Sequence, residues 1–227
     1  MQRTPYRELV GSLNYLAVAT RPNLAFAVGR LASFLDCYRP EHWTAAIRVL
    51  RYVKGTRDLA LVLGGTTLPS LRGHSDSEYA NCPDTSRSIS GYCFTLGSGV
   101  VSWSSKKQPH TADSSCYAEY IALHHATKEL ELIFLRDLLQ DLGFPPTHPT
   151  PLLCDNDAAR LLAEDHSHHA NIKHICVKYH SVRDAIVANL TCLSRVRSSD
   201  NHADIFTKPL AKPNFIRLCS ALGLHMP

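Results

Sequence analysis

A chain of 227 residues can hold one ample core or two modest ones, and a formal charge of +4 with a pI near 8.6 permits nucleic-acid binding without demanding it. No apolar run approaches the ~20 residues of a membrane span, so a bilayer-spanning protein is not expected. The eight cysteines, at 37, 82, 93, 116, 154, 176, 192 and 219, lack any C-x-x-C spacing and several sit in apolar runs, which reads as small core residues rather than a disulfide frame.

The first segment reads as helical. Thr4-Pro5 caps a helix with Tyr6, Leu9, Leu13, Leu16 and Ala17 on one face; Arg3 and Arg7 before Leu9–Ala19 resemble a signal peptide, but Glu8 and Asn14 interrupt the apolar run. The expectation is an intracellular protein, cytoplasmic or nuclear. Thr20-Arg21-Pro22-Asn23 breaks that helix and starts another through Ala25, Val28, Leu31 and Leu35. Pro40 opens a third, carrying Trp43, Ala46, Ile47, Leu50 and Val53, and Gly55 ends it. None of these helices shows catalytic chemistry, so residues 1–65 read as a small helical subdomain.

Beyond Asp58 the period changes to alternation. Leu59, Leu61 and Leu63 suggest one strand face, and residues 64–70 suggest a junction. Leu71 to Asp76 is a short strand ending in a carboxylate, residues 77–87 a polar loop, and Ile89–Leu96 and Val100–Ser105 a hairpin about Gly97-Ser98-Gly99. Residues 113–143 read as one long helix: Asp113 or Ser114 caps it, Gly143 suits a left-handed terminus, and Pro145-Pro146 forbid continuation. Glu119 shares a face of that helix with Ala122, Leu123, Ala126, Leu130 and Ile133 or Phe134, a small-residue stripe suited to lying close on a sheet. Pro151–Cys154 is a strand, residues 156–163 and 169–187 are helices, residues 188–196 a last strand, and residues 199–206 open a terminal helix. The order βββ-α-β-α-α-β-α predicts an α/β fold, a mixed sheet with helices on its faces, over residues 70–224.

Four acids stand out by position: Asp76 at a strand end, Glu119 in the first turns of the long helix, Asp155 at the next strand end, and Asp204 at the start of the last helix. Each has an ordinary explanation as a turn, edge or capping residue. Together they fit one site, in which clustered carboxylates repel unless a cation lies between them. Oxygen ligands suit Mg²⁺ or Mn²⁺ rather than Zn²⁺, and paired ions of this kind serve phosphodiester hydrolysis. His166, His168, His169, His174 and His180 offer a rival zinc reading, but the spacing of 174 and 180 points to different helix faces.

The motifs His74-Ser-Asp76-Ser-Glu-Tyr-Ala, Ser88-Ile-Ser-Gly-Tyr, Val101-Ser-Trp-Ser-Ser-Lys-Lys-Gln, Ala118-Glu-Tyr-Ile-Ala-Leu, Cys154-Asp-Asn, Lys173-His-Ile and Ala203-Asp-Ile-Phe-Thr-Lys-Pro-Leu follow one another in order. This series resembles the ribonuclease H domain of copia-type retrotransposon Pol polyproteins. Tyr6-Arg-Glu-Leu-Val-Gly-Ser-Leu-Asn-Tyr-Leu and Thr20-Arg-Pro-Asn-Leu-Ala-Phe-Ala-Val resemble the end of the same polyprotein's reverse transcriptase, and no Tyr-x-Asp-Asp polymerase motif is present. The resemblance implies a ribonuclease H-like five-stranded sheet, Asp76, Glu119, Asp155 and Asp204 as ligands of two Mg²⁺ ions (Mn²⁺ may substitute), and cleavage of the RNA strand of an RNA–DNA hybrid. The expected partners are that hybrid and the rest of a reverse transcriptase, in a cytoplasmic virus-like particle and/or the nucleus.

Ser77, Ser115 and Asn156 are candidates to read the 2′-hydroxyl, and Lys106 and Lys107, in the loop before the long helix, either hold phosphates or form a solvated turn. His202 is either an auxiliary proton-transfer group or a surface histidine. Before Glu119 the family commonly has Thr-Glu-Ala-Glu where this chain has Cys116-Tyr-Ala-Glu119, and Cys176 stands where an acid often follows Lys-His-Ile. Because the chain starts at a Met within the polymerase's tail, the competing expectation is a truncated relic that folds but acts on nothing.

Overall fold

The computed structural model describes residues 4–64, 70–82, 84–127, 132–164 and 181–226. Helix α1 (Tyr6–Ala19) turns Tyr6, Val10, Leu13 and Ala17 inward, a helical repeat of apolar positions. A single 3₁₀ turn at Pro22–Leu24 leads into α2 (Ala25–Ala32), and α3 (Pro40–Gly55) opens on Pro40, whose missing N–H is no loss in a first turn. The three helices share a core of Tyr6, Val10, Leu13, Leu24, Val28 and Ala46, and the Tyr6 hydroxyl donates to the Leu31 carbonyl at 2.8 Å.

Strands β2 (Leu71–Glu78), β3 (Ile89–Leu96) and β4 (Gly99–Lys107) form the expected antiparallel meander. Strands β5 (Thr150–Cys154) and β6 (Thr191–Arg195) extend it in parallel, giving the order β4-β3-β2-β5-β6. The mixed five-stranded sheet flanked by helices is therefore present. Its central strand is β2, which carries Asp76.

Helix α4 (Ser115–Thr127) lies over β2 and β3 with Ala118, Ala122 and Ala126 fully buried, so no long side chain holds it off the sheet. Helix α5 (Leu132–Asp141) buries Leu132, Leu135 and Leu139, and of the two positions expected to continue the stripe, Ile133 is half-buried and Phe134 exposed. Whether the two make one helix, as the sequence predicts, falls on residues 128–131, outside the described residues. Gly143 does take the left-handed conformation (φ +84°), and the Phe144 N–H closes back on the Leu139 carbonyl at 2.8 Å. Helices α6 (Asp157–Glu164) and α7 (Ser181–Val187) pack on α4. Most of the helix predicted over 169–187, the Lys173-His-Ile motif and the histidine cluster lie outside the described residues.

Two expectations need correction. The strand predicted around Leu59–Leu63 is only β1 (Ala60–Leu61), and it pairs antiparallel with β7 (Leu224–His225), which the sequence reading missed because two-residue strands carry no alternation to read. Asp204 does not open the terminal helix. It lies in a 3₁₀ segment, His202–Phe206, and α8 (Lys212–Ala221) starts later, because Pro209 disfavours helical backbone at Lys208 and Pro213 suits a first turn.

The expected boundary near residue 65 falls on undescribed residues, but both flanks are stitched together. Besides the β1–β7 pair, Trp103 Nε1 on β4 donates to the Ala17 carbonyl at 2.8 Å, and a second core joins Leu59 and Leu61 to Cys93, Val100, Phe206 and Leu218. Among the described residues every cysteine is a free thiol, and no helix is long and apolar enough to cross a membrane.

Candidate metal centre

Asp76 is nearly fully buried on β2, directly opposite Gly91 of β3. Parallel pairing of β2 with β5, in the register Gly73 to Leu152 and His74 to Leu153, brings Asp155, just past the end of β5, to the same end of the sheet. Glu119 reaches the same place from α4 and is also buried. Asp76, Glu119 and Asp155 each offer an oxygen that lies within 4.8 Å of the other two.

Asp204 adjoins the cluster beside Asp76. Lys208 Nζ is 2.9 Å from Asp204 Oδ1 and 3.8 Å from Asp76 Oδ2, so one ammonium group bridges the two carboxylates. The 3₁₀ segment that carries Asp204 is pinned to the sheet by Asn201, whose Nδ2 donates to the Ser75 carbonyl at 2.9 Å while its Oδ1 accepts from the Ala203 N–H.

Each acid has a fixed neighbour. The Thr207 hydroxyl donates to Asp76 Oδ2, the Ser77 N–H to Glu119 Oε1 at 3.2 Å, and the Ser198 hydroxyl to Asp155 Oδ2 at 2.6 Å. Gln108, also buried, donates to Ser90 Oγ at 2.8 Å and to the Ala118 carbonyl at 2.9 Å, tying β3 to the turn of α4 that carries Glu119. Gln108→Ala removes both of these bonds and is expected to cost about 1–3 kcal/mol, read as a lower denaturant midpoint with an unchanged slope.

The electrostatics follow from crowding in a dry place. Burial pushes Asp76 up to about 7; Lys208 opposes that shift, and Asp204 adds to it. Burial, then the charges of Asp76 and Asp155, hold Glu119 well above the usual carboxylate range, and Asp204 is raised by burial against the opposing pull of Lys208. Burial works against the Lys208 charge, but Asp76 and then Asp204 outweigh it and hold the ammonium above its ordinary value. Glu119 Oε2 is buried with no hydrogen-bond partner. An orphaned carboxylate oxygen facing two more carboxylates fits a hard divalent cation, and an all-oxygen donor set suits Mg²⁺ or Mn²⁺.

The other sequence candidates distribute unevenly. Ser77 lies in the site but its amide is engaged by Glu119; Ser115 is exposed at the start of α4; Asn156 caps α6 through Oδ1 to the Ala159 N–H at 3.0 Å. Lys106 and Lys107 belong to the end of β4, exposed and paired in register with Ser90 and Ile89, not to a loop. His202 is no surface histidine: it is half-buried and stacked on His74 with ring centroids 4.1 Å apart. Thr207, Lys208 and Gln108 were assigned no role from sequence, although the spacing of Thr207 and Lys208, three and four residues after Asp204, is the signal that would have found the first two.

Burial, and then the proximity of His202, lower His74 to about 3 from an ordinary 6.5. A histidine held neutral by the fold contributes stability that is full above pH 6.5 and is lost as pH falls from there toward 3, at roughly 1.4 kcal/mol per pH unit. His74→Asn is expected to flatten that acid limb; equal slopes in variant and wild type between pH 4 and 6.5 would show His74 to be solvated.

No protein-family model matches the chain. The retrovirus-related Pol polyprotein from transposon TNT 1-94 of Nicotiana tabacum is 38% identical over 226 residues, 99% of this chain and 17% of that protein. The corresponding polyprotein from transposon RE2 of Arabidopsis thaliana is 38% identical over 221 residues, 97% of this chain and 15% of its own length. The secreted RxLR effector protein 161 of Plasmopara viticola is 44% identical over 136 residues, 60% of this chain and 96% of that protein. Over nearly its whole length the chain is homologous to the retrovirus-related Pol polyproteins of plant transposons. It spans about a sixth of the length of the transposon Pol polyproteins it matches. Among solved structures, the ribonuclease H1 of Halobacterium salinarum NRC-1 aligns with 61% of this Pol chain and 94% of its own, at 15% identity and a TM-score of 0.41.

Proposed function

We propose that this Pol chain is the ribonuclease H part of the polyprotein, hydrolysing the RNA strand of an RNA–DNA hybrid, and that residues 1–65 are the tail of the reverse transcriptase that precedes it. The observation that carries this reading is the convergence of Asp76, Glu119 and Asp155 within 4.8 Å, in a chain of Pol-polyprotein descent. Isolated hydrolysis of a phosphodiester is slow because the phosphate repels a nucleophile and the leaving oxygen is a poor one. A pair of Mg²⁺ ions supplies what is missing, polarising the phosphate and lowering the pKa of water.

Asp76, Glu119 and Asp155 would hold one ion, and Asp76 with Asp204 the other; Mn²⁺ has the same ligand chemistry. Asp76, on the central strand, would contribute to both positions. Thr207 and Ser77 keep Asp76 and Glu119 in single orientations, so that the carboxylates need not reorganise as a ligand arrives. Cleavage would leave a 5′-phosphate and a 3′-hydroxyl. Ser115 stands exposed at the start of α4, where its hydroxyl is open to a 2′-hydroxyl, and Lys106 and Lys107 are exposed cations suited to backbone phosphates. Ser77 and Asn156 contribute chiefly by holding Glu119 and α6. A soluble intracellular setting, in a particle or the nucleus, accords with the free cysteines.

The test is a hybrid-cleavage assay on the purified chain with Mg²⁺, with EDTA, and with the RNA strand replaced by DNA. Cleavage confined to the RNA of the hybrid and abolished by EDTA supports the reading. A folded chain that leaves the hybrid intact across millimolar Mg²⁺ and Mn²⁺ sinks it.

A further inference from the structure

The four carboxylates are not equivalent toward cations. Glu119 Oε2 and Asp204 Oδ1 are both buried without a hydrogen bond, but Asp204 Oδ1 has the Lys208 ammonium 2.9 Å away, so the half formed by Asp76, Glu119 and Asp155 has the greater need of an added cation. The Asp76–Asp204 half already holds one. Lys208 Nζ sits between them, 2.9 Å from Asp204 Oδ1 and 3.8 Å from Asp76 Oδ2. An ion coordinating both oxygens at the Mg²⁺–O distance of about 2.1 Å would stand in that same gap. Ammonium and metal cannot share it.

We propose that Lys208 is a tethered competitor for the Asp76–Asp204 position, so that divalent ions bind in order: first at Asp76, Glu119 and Asp155, then beside Asp204 only as Lys208 swings out. This rests on the hydrolase reading above and adds a positioning residue to it. Lys208 is built for such a role. It stands four residues after Asp204 on one turn, closed by its own N–H to the Asp204 carbonyl at 3.3 Å, and Pro209 fixes where that turn ends. Its side chain is 29% exposed against 3% for Asp76 and 13% for Asp204, so it lies nearer to solvent than either carboxylate. With no metal it neutralises a pair of acids that would otherwise repel. With metal it makes the second ion, and hence the two-ion state, demand a higher concentration than the first.

The experiment is Mn²⁺ binding to the purified chain, by calorimetry with bound ion counted by electron paramagnetic resonance. Wild type is expected to bind in two unequal steps. Lys208→Met, which keeps length and loses charge, is expected to tighten the second step roughly tenfold and the first by much less, while Lys208→Arg stays close to wild type. The double variant Asp204→Asn with Lys208→Met removes the pair together, guards against a misfolded single variant, and is expected to bind one ion with wild-type first-step affinity. A second step that is unchanged or weaker in Lys208→Met overturns the proposal while leaving the metal centre intact. A folded wild type that binds no ion at all overturns the hydrolase reading with it.

Discussion

Asp76→Asn is expected to lower hybrid cleavage by roughly 10³-fold or more and, at the same time, to make the metal-free protein more stable at neutral and alkaline pH. The loss follows because Asp76 belongs to both halves of the cluster, converging with Glu119 and Asp155 and sharing Lys208 with Asp204. The gain follows from linkage. The carboxyl of Asp76 titrates near 7 in the fold against an ordinary 3.8, so the folded state binds a proton that the unfolded chain has already released. A raised carboxyl contributes stability that is complete below pH 3.8 and drains away as pH rises toward 7, at roughly 1.4 kcal/mol per pH unit. Asn carries no charge, keeps an oxygen for the Thr207 hydroxyl, and escapes that loss. The difference between variant and wild type, which cancels the opposing slope of His74, should therefore grow from pH 4 to 7 and then level off. Adding Mg²⁺ at pH 8 should reverse the order by stabilising only the wild type. Denaturant midpoints across pH, with and without Mg²⁺, check both signs.

Gly91→Ala is expected to cut cleavage by roughly 10²-fold without touching any acid. Gly91 lies opposite Asp76 in the sheet, and a Cβ there would stand 2.7 Å from Phe206 Cβ and 2.7 Å from Thr207 Cγ2. Neither is the free end of a flexible chain, so the segment carrying Asp204, Thr207 and Lys208 must lift off the sheet. Overpacking of this kind costs about 1–3 kcal/mol. The first Mn²⁺ should still bind at Asp76, Glu119 and Asp155, and the second should be lost. Wild-type cleavage in Gly91→Ala would mean that the Asp204 segment is not held in place by its contact with β3.

These two positions also show what the sequence conveys. The meander and the following helix are legible because apolar alternation and small-residue helical spacing reflect burial on the very faces that place Asp76 and Glu119. Asp155 is legible as the end of a short apolar strand. The Asp204 region is less so: a 3₁₀ segment repeats on neither period, and its place is decided by contacts with distant residues, Asn201 with Ser75 and Phe206 with Gly91. The role of Lys208 is hidden for a similar reason, since its meaning depends on Asp76 far away in sequence. The surface reading of His202 arises because nothing local signals the His74 ring against which it stacks.

Anomalous diffraction from crystals of this chain soaked in Mn²⁺ addresses the metal centre most directly. One peak bounded by Asp76, Glu119 and Asp155 is expected at low Mn²⁺, and a second between Asp76 and Asp204 at higher concentration, with Lys208 displaced. Well-ordered crystals without a peak among these carboxylates at either concentration would contradict it.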